Sequence, residues 1–350
     1  MKDLYLLLSF LFSGLLFAQP QAYYDDIDFS QDGLDLKFAL ADLISDTHVY
    51  QLSYSEVWEA LRETDKNPSN SNQVILVYGW PNTNSGQHAR TRSKNNNGGA
   101  NGQWNREHVY ARSMGTPNLG SSGPGSDAHH LRASDVQWNS ARGNRKFANG
   151  SGNSGSVGAN WYPGDEWKGD VARMMMYMYV RYGTRCLPAN AGIGSTQNTP
   201  DGMIDLFLQW NAEDPVSEIE IQRNNYLGNI NNAYSQGNRN PFIDNPYLAT
   251  KIWGGPAAED IWGTLSTTKL DNIEFSLYPN PNEDNVIYIQ SEENITSFEI
   301  IDINGRILSR ENNPTITDNT IEIAHSLQTG MYFIKVTNEK AESIKKLLVH

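Results

Sequence analysis

Apolar residues recur at spacings of three and four along much of the first 250 residues, which is the pattern of amphipathic helices. The pattern holds from Tyr23 to about Tyr78. It returns in the run GDVARMMMYMYVRYG, where Gly183 is the expected helix end and the methionines are typical of core filling. Two further helical patterns lie within 199–253, the second with Pro and Ser start signals. This region is therefore predicted to be mostly helical.

Loops rich in Gly, Ser and Asn separate two short polar segments in the middle of the chain. The first, QWNREHVYARS, is short enough for one strand. The second, HHLRASDVQWNSARGNRKF, is interpreted as a helix that begins at Ser134 or Asp135. Both segments carry charged and amide side chains and are flanked by loops, so they are the candidate functional segments.

Beyond Phe275 the hydrophobic pattern repeats every two residues. β-Branched and aromatic residues alternate with polar ones in short segments, which are separated by turn signals. This pattern predicts a small all-β sandwich, with Asn304-Gly305 as a hairpin turn. The predicted domains are a leader over 1–18, a first domain over 19–253, a linker over 254–270 and the sandwich over 271–350. The expected fold class is α+β.

The amino terminus reads as a secretory signal peptide, because Lys2 precedes an apolar stretch from Leu4 to Phe17 that ends at Ala18. The alternative is a buried N-terminal helix. The stretch is short for a membrane span, and no other segment could form one. The single cysteine, Cys186, excludes an intramolecular disulfide framework but not export. The mature protein is expected to be secreted or held at the cell surface, and to be a monomer.

Charge is distributed unevenly along the chain. The formal net charge is −13, yet residues 87–185 hold 13 Lys and Arg against six Asp and Glu. A basic middle region is suited to a polyanionic substrate. The alternative is scattered, solvated charge, since clustering in sequence does not prove clustering in space.

The dipeptide Glu107-His108 offers a hard oxygen ligand next to an imidazole that can act as a general base. Successive side chains of a strand point to opposite faces, so both can serve one site only at a strand end or an irregularity. On the following helix, Asn139 and Arg142 share one face, where an amide oxygen and a guanidinium could serve a metal and a phosphate. A pair of surface strand residues is the plain alternative.

Three further residues are candidates for a functional role. Arg173 shares a helix face with Asp170 and Tyr177, and a pairing with Asp170 is its plain alternative. His129 and His130 are candidates for orienting neighbours, while a buried structural role is the alternative for His130. A zinc site is not supported, because the histidines lack a ligand set at zinc spacing.

Five motifs in chain order, WNREHVYARS, DAHHL with NSARGN, KGDVAR, DPVSEIEIQRNN and GNRNPFID, resemble the bacterial endonuclease I family over about 87–253. The resemblance implies a ββα-metal (His-Me finger) active-site core and sequence-non-specific cleavage of DNA, and often of RNA, with one Mg²⁺, to 5′-phosphate ends. Mn²⁺ or Ca²⁺ are alternative cations. The rival hypothesis is a non-catalytic extracellular DNA-binding surface protein.

By motif, the resemblance assigns the general base to His108 and the metal to Glu107 and Asn139. The family's phosphate-binding arginine sits in a cysteine-containing loop that has no match here, so Arg142 and Arg173 are expected in its place among the catalytic residues. The remaining candidates are expected to contact substrate, and they are Arg106, Arg112, His129 and Arg145.

The carboxyl-terminal segment from about Phe275 resembles the sorting domain of the type IX secretion system, on the residues FSLYPNPNEDNVIYI, IIDINGRIL, TGMYFIKV and KKLLVH. The resemblance implies the secretion machinery as a partner of this segment. A carbohydrate-binding or adhesion sandwich is the alternative, although few aromatic residues are placed to stack on sugars.

Overall fold

A computed structural model describes residues 22–263, 273–303, 305–338 and 341–350. The chain divides into two compact units, Met1–Thr264 and Leu265–His350. The signal peptide predicted over 1–18 lies outside the described residues. Among the described residues, no helix is long and apolar enough to cross a bilayer.

The first unit combines helices with short antiparallel strands. Its helices are α1 Gly33–Asp46, α2 Val57–Thr64, α3 Val136–Arg142, α4 Lys168–Tyr182, α5 Pro188–Ala191, α6 Asp205–Glu213, α7 Glu218–Gly228, α8 Pro241–Asp244 and α9 Tyr247–Trp253. Its strands are β1 Lys66–Asn67, β2 Asn70–Ile75, β3 Thr91–Ser93, β4 Trp104–His108, β5 Leu131–Asp135, β6 Gly155–Val157 and β7 Asn160–Tyr162. They form the sheet β1-β2-β3 and the pairs β4-β5 and β6-β7.

Helix α4 is the centre of this unit, and every residue from Gly169 to Val180 is buried. Its methionines lie in the main hydrophobic core, as predicted. Gly183 ends the helix with φ +54°, a conformation that glycine adopts without strain. Ser217 begins α7 through a capping box with Glu220, so both predicted end signals are confirmed.

Two parts of the helical prediction are wrong. Residues 66–75 form the hairpin β1-β2, which pairs onward with β3, because a turn at NPSN reverses the chain. Strand β5 was expected to be loop and helix start. All five of its residues are buried, so it lacks the alternation that marks a half-exposed strand. The helix start at Asp135 is confirmed, since its side chain accepts hydrogen bonds from the backbone N–H groups of Gln137 and Trp138.

The described residues of the second unit form antiparallel strands in two sheets, and the prediction of an α+β chain with a carboxyl-terminal β region is confirmed. The strands are β8 Ser276–Tyr278, β9 Val286–Gln290, β10 Ser297–Asp302, β11 Ile307–Asn312, β12 Thr320–Ala324, β13 Gly330–Thr337 and β14 Glu342–Val349. They form the sheets β11-β10-β13-β14 and β12-β9-β8. Alternate residues of both sheets, such as Ile287 and Ile334, share one core. The turn residue Asn304 lies outside the described residues.

Candidate active site

Strands β4 and β5 and helix α3 form a continuous antiparallel hairpin followed by a helix. Trp104 pairs with Asp135 and His108 pairs with Leu131, so β4 ends where β5 begins. Asp135 ends β5 and caps α3, which turns the helix back along β4. Glu107 and Asn139, which are 32 positions apart in sequence, are thereby brought to one wall.

A cavity of about 500 Å³ opens at this wall. It contains five of the nine predicted site residues, namely Arg106, Glu107, His108, Arg112 and Asn139. Its other lining residues are Tyr54, Ala111, Ser113, Asn118, Gly143 and Asn144. A larger groove of about 1230 Å³ lies on the second unit. That groove holds four glutamates, one lysine and no histidine, which is unsuited to a polyanion.

Glu107 is buried at the cavity wall, and both of its hydrogen bonds fall on one oxygen. Oε1 accepts from the Tyr78 hydroxyl at 3.1 Å and from Arg142 Nη1 at 3.0 Å. The other oxygen, Oε2, has no hydrogen-bond partner among the described residues. Burial raises the pKa of Glu107 to about 7, against the opposing effects of Arg142 and Tyr78. The carboxylate is therefore oriented and leaves one oxygen for a ligand.

Asn139 is held in a similar way. Its Nδ2 donates to the Asn105 Oδ1 at 2.7 Å, so its own carbonyl oxygen is left without a partner in the described part of the chain. Asn105 precedes Glu107 by two positions on β4, and Asn139 lies in the second turn of α3. The hairpin and the helix thus each contribute one hard oxygen atom to the cavity.

His108 is the last residue of β4, and its ring is fixed by the backbone. Nε2 lies 2.9 Å from the Gly125 carbonyl oxygen, which can only accept, so Nε2 carries the proton and Nδ1 holds a lone pair. Burial lowers the pKa of His108 to about 3, and the nearby His130, Arg112 and Arg106 act in the same direction. The imidazole is neutral and able to accept a proton at Nδ1.

Arg142 does not line the cavity. It is buried behind it, where Nη1 donates to Glu107 and to the His108 carbonyl and Nη2 donates to the Val109 carbonyl. Its hydrogen bonds tie α3 to the end of β4. The shared helix face with Asn139 was predicted, but the side chain is committed to protein groups.

Arg173, His129 and Arg145 are not brought to the cavity. Arg173 is fully buried and makes a two-point ion pair with Glu220, while Asp170, its expected partner, binds Arg132. His129 is buried with Nε2 at 3.0 Å from the Asn238 carbonyl oxygen. Arg145 bonds to Ser156. His130 is also buried, with Nε2 at 2.7 Å from the Pro124 carbonyl oxygen, which fits its structural alternative.

Many of the basic residues of 87–185 are neutralised within the fold. Six of them form ion pairs, and they are Arg90, Arg92, Arg132, Arg142, Lys168 and Arg173. Arg112 is exposed at the cavity and has neither a hydrogen bond nor an ion pair from its side chain within the described ranges. Within the described residues, the Arg106 side chain makes one hydrogen bond, to the Tyr54 carbonyl. These two guanidinium groups are the cations that face the cavity.

Sequence reasoning missed Tyr54, Tyr78 and Asn105. The first two come from 23–78, a region interpreted as helical and without a chemical role. Asn105 lies inside the WNREH motif, but nothing in the sequence shows that it would meet Asn139. No three His, Cys, Asp or Glu side chains of the described residues gather into a metal cluster, so a cation site here depends on an amide as well as a carboxylate.

The model of the family described as Endonuclease I matches residues 32–247, which include every element of this site. The chain belongs to the endonuclease I family. Two extracellular ribonucleases are similar to this endonuclease I. That of Bacillus subtilis (strain 168) is 46% identical over 258 residues, covering 69% of this chain and 84% of the relative. That of Bacillus amyloliquefaciens is 46% identical over 247 residues, covering 67% and 79%.

Residues 276–350 of this endonuclease I match a secretion system C-terminal sorting domain. The crystal structure of CopC from Methylosinus trichosporium OB3b covers 22% of the chain at 11% identity, with a TM-score of 0.17 that is too low to indicate a shared fold. The family membership decides for the enzyme over the non-catalytic DNA-binding alternative. The protein is a nuclease, its substrate is a nucleic acid, and its sorting domain marks it for export.

Proposed function

We propose that this endonuclease I hydrolyses phosphodiester bonds in DNA and RNA without sequence specificity, leaving 5′-phosphate ends. The observation that carries the proposal is the meeting of Glu107, His108 and Asn139 at one cavity, each with an unused acceptor atom. Cleavage of RNA is supported by the names of the two Bacillus relatives. Strands β4 and β5 with helix α3 are proposed to be a ββα-metal core.

One divalent cation is proposed to bind Glu107 Oε2 and Asn139 Oδ1, with Mg²⁺ preferred and Mn²⁺ or Ca²⁺ as alternatives. Both atoms are hard oxygens without hydrogen-bond partners among the described residues, and Mg²⁺ keeps several waters beside one or two carboxylate ligands. A bound cation supplies charge stabilisation at the phosphate and at the leaving oxygen. Its positive charge also favours the ionised form of the buried Glu107.

His108 is proposed to be the general base. Its Nε2–H remains on the Gly125 carbonyl while Nδ1 takes a proton from the attacking water. The carbonyl fixes the tautomer and the ring plane. Burial lowers the pKa of His108, so the imidazole rests in the neutral form, which has a lone pair for this proton.

Arg112 and Arg106 are proposed to hold the substrate phosphates. The Arg112 guanidinium makes no hydrogen bond within the described part of the chain, so its fork can bind a phosphate at two points. Contacts to phosphate position a nucleic acid without reading its bases, which agrees with a lack of sequence specificity. Arg142 is proposed to orient Glu107, and Arg173 to stabilise the core. No substrate contact is proposed for His129 or Arg145.

The second unit is proposed to serve export only. The proposed limits are a leader over 1–18, the nuclease domain over 19–253, a linker over 254–270 and the sorting domain over 271–350. The secretion machinery is then the partner of the sorting domain, and the released enzyme is proposed to act as a monomer.

Cleavage of supercoiled plasmid and of single-stranded RNA, with and without a chelator, tests the proposal. We expect activity on both that is abolished by chelation and restored by Mg²⁺. His108→Ala should lower turnover about 10²–10⁴-fold, the usual range for a lost general base. His88→Ala is the matched control, because His88 lies outside the cavity. Activity that survives chelation, or near-normal turnover in His108→Ala, would overturn the proposed mechanism.

A further inference from the structure

Tyr54 lines the cavity and has no part in the proposed function. It lies in the segment between α1 and α2, about fifty residues before β4, and its half-buried ring lines the cavity. Its hydroxyl has no hydrogen-bond partner among the described residues. Tyr54 contacts the site through its ring and its backbone carbonyl.

Three of the proposed functional groups lie near this ring, and the most distant of them is the Arg112 guanidinium carbon, 5.9 Å from the ring centre. The Arg106 guanidinium carbon lies 3.5 Å from the centre of the Tyr54 ring and 4.3 Å from the centre of the Trp58 ring. The His108 ring centre lies 5.5 Å from that of Tyr54, at an interplanar angle of 30°. The Arg106 Nη1 also donates to the Tyr54 carbonyl.

The geometry of β4 explains why the Tyr54 ring can contact both Arg106 and His108. Arg106 and His108 are two positions apart on the strand, so their side chains leave the same face, while Glu107 points to the other face. Tyr54 covers that shared face from outside the strand. A guanidinium held over aromatic faces loses rotamer freedom, and so does an imidazole packed against one.

We infer that Tyr54 is a positioning residue that holds the general base His108 and the phosphate-binding Arg106 in fixed relative geometry. The inference rests on the proposed function. Tyr54 does not touch the reacting atoms. It acts on turnover through His108 and on substrate binding through Arg106, because a small displacement of a catalytic group is enough to slow the reaction strongly.

Tyr54→Leu tests the inference, since leucine retains apolar bulk but removes the aromatic faces. We expect kcat to fall roughly tenfold and KM to rise severalfold, at an unchanged unfolding temperature. Tyr54→Phe should restore both constants to within about twofold, because the ring is retained. Tyr50→Ala is the matched control, because Tyr50 is an exposed tyrosine of the same segment that does not line the cavity.

Double variants test whether Tyr54 acts through His108 and Arg106. In a His108→Ala background, Tyr54→Leu should no longer lower kcat, and in an Arg106→Ala background it should no longer raise KM. Effects that simply add in both backgrounds would overturn the inference, as would a lowered unfolding temperature with unchanged constants. A normal turnover in His108→Ala alone would instead contradict the proposed function, so the two failures are distinguishable.

Discussion

Arg142 and Glu107 form a buried ion pair in which Nη1 lies 3.0 Å from Oε1. The same guanidinium binds the carbonyls of His108 and Val109, so one side chain fixes the end of β4 against α3. Tyr78 donates to the same carboxylate oxygen. The ligand orientation of Glu107 is thus set by two residues that do not line the cavity.

Removing the Tyr78 hydroxyl should weaken cation binding without removing a ligand. In Tyr78→Phe we expect the Mg²⁺ concentration for half-maximal activity to rise about tenfold, the low end of the range for lost outer-shell partners. Direct calorimetric titration of the cation should shift in parallel. Tyr110→Phe is the control, since its buried hydroxyl contacts the Leu187 carbonyl and not Glu107. An unchanged Mg²⁺ midpoint in Tyr78→Phe would show that the Tyr78 hydroxyl does not support cation binding by Glu107.

Arg112→Ala should weaken nucleic-acid binding, because it removes the uncommitted cation at the cavity. The slope of log affinity against log salt should fall by about one unit, as for one lost phosphate contact. Arg145→Ala, which changes an arginine outside the cavity, should leave that slope nearly unchanged. A slope that is lowered equally in both variants would show that Arg145 also contacts phosphate.

Arg173→Lys should lower stability and leave the chemistry intact. Lysine retains the charge beside Glu220 but loses the two-point hydrogen bonding of Arg173 Nε and Nη2. The free energy of unfolding should fall by roughly 1.5–3 kcal/mol, as for hydrogen bonds to charged groups. Urea unfolding followed by tryptophan fluorescence, with Arg181→Lys as the control, measures it. Loss of kcat in a fully folded Arg173→Lys enzyme would return Arg173 to the catalytic set.

The contribution of His129 and His130 to the stability of the nuclease unit should be lost in mild acid. Burial lowers the pKa of His129 and of His130 to about 4, although Asp127 opposes the shift, so the folded state disfavours their protonation. The unfolded chain binds protons on these histidines near pH 6.5, so their contribution should fall between about pH 6.5 and 4. Glu107 and Asp170 act in the opposite direction, because burial raises the pKa of both carboxyls. His129→Gln, which retains an N–H for the Asn238 carbonyl, therefore isolates the histidine contribution when its thermal unfolding and that of the unchanged chain are measured at pH 7.5 and pH 5. The change in unfolding temperature from pH 7.5 to pH 5 should be less negative, or more positive, in His129→Gln than in the unchanged chain, and an equal change in the two would contradict the prediction.

A chain that ends at Gly263 should fold and cleave nucleic acid with nearly unchanged kinetics. The end is placed after Trp262 because that side chain packs in the main core of the first unit. Residues 271–350 carry 13 acidic and six basic residues, a balance that would repel a polyanion. In the native cell the shortened protein should not be exported. A clear loss of specific activity in the well-folded shortened chain would show that the second unit belongs to the enzyme.

Periodic and local features were predictable from the sequence. Buried residues alternate along β9 and β12, while the end of α4 and the start of α7 carry their own Gly and Ser signals. The dipeptide Glu107-His108 and the amide of Asn139 were proposed as site residues because five motifs occur in order, and the structure places all three residues at one cavity. Such features depend on neighbours within a few positions, so the sequence by itself determined them.

Long-range packing decided the rest. Whether an arginine is free for substrate depends on which carboxylates the fold brings beside it, and Arg142 and Arg173 meet Glu107 and Glu220 only in three dimensions. Strand β5 was hidden because burial of both its faces erases the alternation. Tyr54 and Tyr78 reach β4 from a distant segment whose pattern carries no trace of the contact. Side-chain partners far apart in sequence are chosen by tertiary structure, since pair energies act through space and not along the chain.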